Sequence, residues 1–220
     1  MHELTLVIGT RNYSSWSLRP WMLLRHLGLE FRERLIHFDT DEFAAVVREL
    51  SPSRRVPVLL HGPVRTWESL AICEYASELA DGRGWPTDRA GRAQARALAA
   101  EMHASFAALR SQCPMNARAR DRRVAMTPEL GRDIRRIDAI WSACPEAGRE
   151  DGPWLFGRYS AADAMFSPVV LRCLTYDLPL SPAARRYLDL ALGDPVLQSW
   201  IEASRNEGVT IDYEEVGQAQ

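Results

Sequence analysis

The sequence predicts an α/β first unit of element order βαβαββα joined to an all-α second half, and three observations carry that expectation. Short apolar, strand-like runs alternate with helical ones up to about residue 82. A turn-rich segment, Asp81-Gly82-Arg83-Gly84-Trp85-Pro86-Thr87-Asp88, follows without apolar periodicity. Beyond it strand signals nearly vanish and helical runs take over.

Taken in order, Leu4-Thr5-Leu6-Val7-Ile8, entered directly from Met1-His2-Glu3, is apolar and rich in strand formers and predicts the first strand. Leu18 to Leu27 predicts a helix because Trp21, Leu24 and Leu27 fall near one face. Arg34-Leu35-Ile36 predicts a second strand and Asp41 to Leu50 a second helix, which Ser51-Pro52-Ser53 ends. Pro57 to His61 and Arg65 to Trp67 predict a hairpin around Gly62-Pro63, and Ser69 to Ala80 a third helix. That order, with a proline at the third strand, suits a thioredoxin-like layer of helices on a four-stranded sheet. Arg89 to Ser111 reads as one Ala-rich helix; Pro128 to Ala143, Ser160 to Tyr176, Ser181 to Leu192 and Pro195 to Arg205 continue an all-α domain. The expected division is residues 1–82, a linker at 83–88, a helical domain at 89–208, and an acidic, loosely held tail at 209–220.

Composition narrows the function classes. The chain has 220 residues, 46 % of them hydrophobic and 25 % charged, and no apolar run approaches the roughly 20 residues that span a bilayer. Its start lacks the basic region and long apolar core of a secretory signal, so a cytoplasmic protein is expected, with no membrane role. The net charge of −2 gives nucleic acid no general attraction. All 27 basic residues are arginine; the one dense cluster, Arg118 to Arg123, reads as an exposed connection between helices. The four cysteines form no C-x-x-C pair and the histidines no metal-binding spacing, so no metal site is expected.

Two backbone peculiarities point to a ligand. Proline within the apolar run Arg55-Val56-Pro57-Val58-Leu59 cannot donate to a ladder. A cis bond there would leave the Val56 N–H and C=O facing a ligand that lies alongside like an added strand. Glu68-Ser69 then stands where a helix begins: free N–H groups and the Ser69 hydroxyl suit a carboxylate, and Glu68 suits an ammonium. An amino-acid head group carries both charges. In the second half, Ser160-Ala161-Ala162-Asp163 is a close variant of the capping box, and its value is structural.

With Val56-Pro57 and Glu68-Ser69 in the first half and Ser160 to Asp163 in the second, the chain resembles the cytosolic glutathione S-transferase superfamily over nearly its full length. The loop Arg11 to Pro20 is most similar to the serine-type active-site loop of the zeta class, where S-S-C-x-W-R-x-R opens the first helix. Ser14-Ser15 match the serine pair and Arg19 the first arginine, whereas Trp16 replaces the cysteine. The resemblance implies glutathione as substrate or cofactor, a small electrophilic partner molecule and a homodimer. It also implies that Ser14, with Ser15 in reserve, activates the thiol, that Val56 pairs with the tripeptide backbone, and that Glu68 with Ser69 holds its γ-glutamyl end. Arg55 either reaches a ligand carboxylate or remains a solvated loop charge. A zeta-type maleylacetoacetate isomerase and a non-catalytic interaction module are the alternatives.

Serine chemistry is quantitatively adequate. Lowering a thiol pKa of about 8.5 by about two units needs roughly 2.7 kcal/mol of preference for the thiolate. A hydroxyl hydrogen bond to an anion supplies about 1.5–3 kcal/mol and a helix N-terminus about 0.3–1 kcal/mol. Pro20, comfortable in a first helical turn, predicts a helix start near Trp16 or Ser17, capped by Ser17 or Ser15, with Ser14 turned to the ligand. In the second domain, Met102, His103, Phe106 and Arg110 recur at helical spacing, which marks either core or substrate wall.

Overall fold

The computed structural model describes residues 3–144 and 151–219. Met1-His2, residues 145–150 of the expected helical domain and Gln220 of the expected tail lie outside the described residues. The first unit runs β1 (Leu4–Gly9), α1 (Ser15–His26), β2 (Phe31–Ile36), α2 (Asp41–Leu50), β3 (Val58–His61), β4 (Val64–Trp67) and α3 (Ser69–Leu79). The sheet order is β2-β1-β3-β4, with β1 parallel to β2 and the other two pairs antiparallel. Side chains alternate across β1. Leu4, Leu6 and Ile8 enter the large core beneath α1 and α3, while Val7 joins Ile36, Val46, Val47, Leu50 and Val58 beneath α2. This is a thioredoxin-like unit, as the element order predicts.

The helical half contains α4 (Arg89–Ala104), α5 (Ala107–Gln112), the two-residue strand β5 (Arg122–Arg123), α6 (Pro128–Ser142), α7 (Ala161–Tyr176), α8 (Pro182–Leu192) and α9 (Pro195–Arg205). The single helix expected from Arg89 to Ser111 is broken. Ser105 is extended, Phe106 takes a left-handed φ of 65° and is buried, and Asp133 Oδ2 accepts the Leu109 N–H at 3.0 Å to cap the new helix.

Helix α7 is the axle of the molecule, packed on α1, α4 and α8 and buried at all but one of its residues. Its start is fixed by the expected box: Ser160 N–H and Oγ donate to Asp163 Oδ2 at 2.9 and 2.8 Å. The other oxygen, Oδ1, accepts from Leu155 N–H at 3.1 Å and Tyr187 OH at 2.9 Å, which occupies the carboxylate with structural donors.

Two surface expectations are corrected. The tail is anchored: Ile211 is buried, Asp212–Glu214 form a 3-10 turn, and β6 (Gln218–Ala219) pairs antiparallel with β5. Glu215 accepts from Tyr13 OH at 2.6 Å, Asn116 Nδ2 at 2.8 Å and Arg122 at 2.8 Å. The arginine cluster is likewise engaged rather than a solvated loop, with Arg118 donating to Tyr13 OH at 3.2 Å and to the Val209 carbonyl at 2.5 Å. Basic loop and acidic tail are partners, a pairing no local pattern encodes.

No described helix is long and apolar enough to cross a membrane.

Candidate functional site

The loop from Thr10 to Ser14 is held by residues from both halves of the chain. Thr10 Oγ1 accepts the Phe38 N–H at 3.1 Å. Asn12 accepts the Ala117 N–H on its carbonyl at 3.0 Å and the Arg118 N–H on Oδ1 at 2.9 Å, and the Arg11 carbonyl accepts Trp200 Nε1 at 3.1 Å. Arg11 also bridges Glu33 at 2.6 Å and Glu207 at 3.1 Å. A residue carried on this loop is therefore placed by secondary structure on either side of it.

Helix α1 starts earlier than the proline argument predicts. Ser14, not Ser15 or Ser17, occupies the N-cap position, and Pro20 lies in the second turn. Proline has no N–H to return to the Trp16 carbonyl, so the helix tolerates one missing bond near its start. The Ser14 side chain caps nothing; it donates to Ser17 Oγ at 2.7 Å, and Ser17 Oγ accepts the Gly9 N–H at 3.1 Å. Ser14 and Ser15 both border a cavity of about 360 Å³.

A second cavity, of about 270 Å³, adjoins it and shares Trp16, Arg55 and Val56 as a common wall. Glu68 and Ser69 line this one. The Val56-Pro57 bond is cis, and Glu68 takes a φ of 71°, a region that non-glycine residues enter at a cost of about 1–3 kcal/mol. That geometry puts Ser69 at the first position of α3, where its hydroxyl is fully buried without a protein partner. A buried hydroxyl left unpaired beside a cavity is a ligand contact in waiting. Arg55 is exposed and borders both cavities.

All six expected site residues thus meet around two contiguous spaces. Of the stripe on the helical domain, Met102 and Phe106 are core, whereas Arg110 lines the larger cavity and His103 the smaller. His103 Nε2 stands 3.7 Å from the Glu68 carboxylate. Burial first, then the Arg19 charge, hold its pKa below the ordinary histidine range, so it brings little positive charge to Glu68 at neutral pH.

Pattern alone assigns no role to Trp16 or Arg19. The Arg19 guanidinium lies 4.1 Å from the Trp16 ring centre and Arg110 4.9 Å. Arg19 is fully buried and none of its three guanidinium nitrogens has a protein partner. Burial, then the charges of Arg110 and Arg172, push its pKa well below the usual arginine value. Cations in so dry a setting favour an anion nearby, a thiolate included. The buried thiols of Cys73, Cys113 and Cys173 are pushed up to about 12 by burial, which makes them poor nucleophiles. Among the described residues no group of three or more His, Cys, Asp or Glu could hold a metal ion.

A thioredoxin-like sheet with a cis-proline, a helix start and a serine-headed helix beside it, covered by a helical domain, defines the glutathione transferase fold class. Residues 13–79 match the family described as glutathione S-transferase, N-terminal domain. A glutathione transferase homologue from Burkholderia, solved with bound glutathione, superposes with a TM-score of 0.70 over 93 % of this chain and 99 % of that one, at 24 % identity. A zeta-class maleyl pyruvate isomerase does so with a TM-score of 0.69 over 93 % and 100 %, at 20 % identity, and the omega 3C transferase of Trametes versicolor with 0.69 over 97 % and 92 %, at 15 %. In sequence, the chain is 28 % identical to Protein IN2-1 of Zea mays over 86 % of its length and 72 % of the relative's. The family match covers residues 13–79, and the structural likenesses show a shared fold, with a zeta and an omega structure at the same TM-score.

Proposed function

We propose that the chain is a glutathione transferase that binds glutathione in the smaller cavity and activates its thiol through the Ser14 hydroxyl for attack on a small electrophile in the larger one. The observation that carries this reading is the buried, unpartnered Ser69 hydroxyl beside Glu68 and Val56, in a space continuous with Ser14. Glu68 takes the ligand ammonium, Ser69 and the α3 N–H groups its carboxylate, and the Val56 backbone its central residue. The matched N-terminal family and the Burkholderia homologue's bound glutathione agree with that ligand.

Calorimetry with glutathione tests binding, and conjugation of a generic aryl halide by the native protein and Ser14→Ala tests the chemistry. Absence of binding at millimolar glutathione would favour a non-catalytic interaction module. The zeta-type isomerase remains the narrower alternative, decided by assaying maleylacetoacetate beside the aryl halide. A cytoplasmic homodimer completes the reading, and sedimentation of the intact chain tests its assembly.

A further inference from the structure

Tyr13 stands one residue before Ser14, and its phenol is held by the far end of the chain. The hydroxyl donates to Glu215 Oε1 at 2.6 Å and accepts from the Ile211 N–H and from Arg118, each at 3.2 Å. A phenol donates once, and with two bonds accepted its hydroxyl is fully engaged. Only 5 % of Tyr13 is exposed. Glu215 is fixed in turn by Asn116 on the same oxygen and by Arg122 on the other, each at 2.8 Å. The tail also reaches the first unit, where Tyr213 donates to Asp39 Oδ2 at 2.9 Å.

The backbone passes this restraint to the serine. The Thr10 carbonyl accepts both the Tyr13 N–H at 3.1 Å and the Ser14 N–H at 2.8 Å, and the Tyr13 carbonyl accepts the Ser15 N–H at 2.9 Å. Tyr13 and Ser14 therefore turn as one piece, so a swing of the phenol redirects the Ser14 hydroxyl, and a hydrogen bond weakens steeply when misaligned. Arg11 and Asn12 fasten the earlier part of the loop; Tyr13 fastens the end next to the serine. Anchoring the tail alone does not need this bond, because Ile211 is buried and β6 pairs with β5.

We propose that Glu215 is a positioning residue for thiol activation: through the Tyr13 hydroxyl it sets the direction of Ser14 Oγ, so that the C-terminal tail completes the activating site. This deepens the reading of Ser14 as the thiol's hydrogen-bond donor and rests on it. A misdirected Ser14 withdraws a donor from the thiolate and leaves the sites that hold the peptide as they are.

The test is the pKa of the thiol in bound glutathione, read from the ultraviolet absorbance of the thiolate in the native protein, Ser14→Ala, Tyr13→Phe and Glu215→Ala. Both tail-side variants are expected to raise it by about one unit and to lower kcat/KM for an aryl halide about tenfold at neutral pH. That loss should fade at high pH, where the thiolate forms unaided. Affinity for S-methylglutathione, whose sulfur cannot ionise, should stay within about twofold. Because Glu215 acts through Tyr13, the double variant should be no worse than Tyr13→Phe, and Glu215→Gln, whose carbonyl still accepts the phenol, should recover most of the shift. Tyr13→Phe keeps the ring and carries the test even where Glu215→Ala fails to fold. An unchanged pKa in the tail-side variants while Ser14→Ala raises it, or a loss equal at every pH, would overturn the positioning proposal alone. An unchanged pKa in Ser14→Ala would overturn the serine reading and this one with it.

Discussion

Ser14 donates a hydrogen bond to Ser17 Oγ across 2.7 Å, and Ser17 in turn accepts the Gly9 N–H. On the proposed mechanism, rotation of two hydroxyls reverses the link when a thiolate arrives, so that Ser17 donates to Ser14 and Ser14 to sulfur. Such a chain polarises its terminal donor. Ser14→Ala is expected to lower kcat/KM by about 10- to 150-fold, the equivalent of 1.5–3 kcal/mol. Ser17→Ala should lower it less while shifting the pH-rate profile to higher pH. An unchanged kcat/KM in Ser14→Ala would remove serine activation.

Ser69 is a case where function and stability separate. Because its hydroxyl has no protein partner, Ser69→Ala leaves no donor or acceptor stranded. The expected outcome is a denaturation midpoint within error of the native one and glutathione affinity weakened by about tenfold, measured by calorimetry. A large stability loss with unaltered affinity would assign the hydroxyl to the fold.

Arg19 makes the opposite separation. A guanidinium buried without hydrogen-bond partners is an uncompensated expense that its stacking on Trp16 only partly offsets. Arg19→Leu should stabilise the ligand-free protein by about 1 kcal/mol or more in urea unfolding, and raise the pH needed for thiol activation. A destabilised variant would show that the charge is satisfied in the folded chain.

Glu33 gives a pH signature. Burial pushes its carboxyl up, but hydrogen bonds from Trp21, Arg11 and Arg25 outweigh that and hold it below the ordinary range. A depressed folded-state pKa means that the unfolded chain binds the proton more tightly. The stabilisation is complete above the unfolded value of about 4.3 and is lost as pH falls through the folded one. Glu33→Gln should therefore destabilise at pH 7 and lose that difference from the native protein only as acid carries the pH below the ordinary carboxylate range, followed by thermal melts at both ends of the range. Equal destabilisation at both pH values would refute the linkage.

Sequence made the frame legible where local pattern decides structure. The ends of α2 and α9 fall where the expected runs begin and stop, and Glu68-Ser69 opens α3 as its residue types demand. The break at Ser105–Phe106 was hidden because an Ala-rich run is helical by propensity, whereas Asp133, contributed by α6, stabilises the new helix start. Ser14 took the cap position because the loop is pulled by Asn12 contacts to the second domain, a constraint that Pro20 does not register. Arg172 had a faint signal, one charge in an apolar helix, but only the fold shows that it borders the larger cavity. Glu215 and the Arg118–Arg123 segment, nearly a hundred residues apart, could find each other only in three dimensions.

The common wall of Trp16, Arg55 and Val56 gives the protein a divided vocabulary. In the proposed reading, donor choice is written on one side of it and acceptor choice on the other, by residues from different stretches of chain. New acceptors could therefore be recruited by exchanging Arg110, Arg172 or Phe43, with the thiol donor left as it is. Laboratory evolution aimed at that side alone would be the economical route to new conjugates.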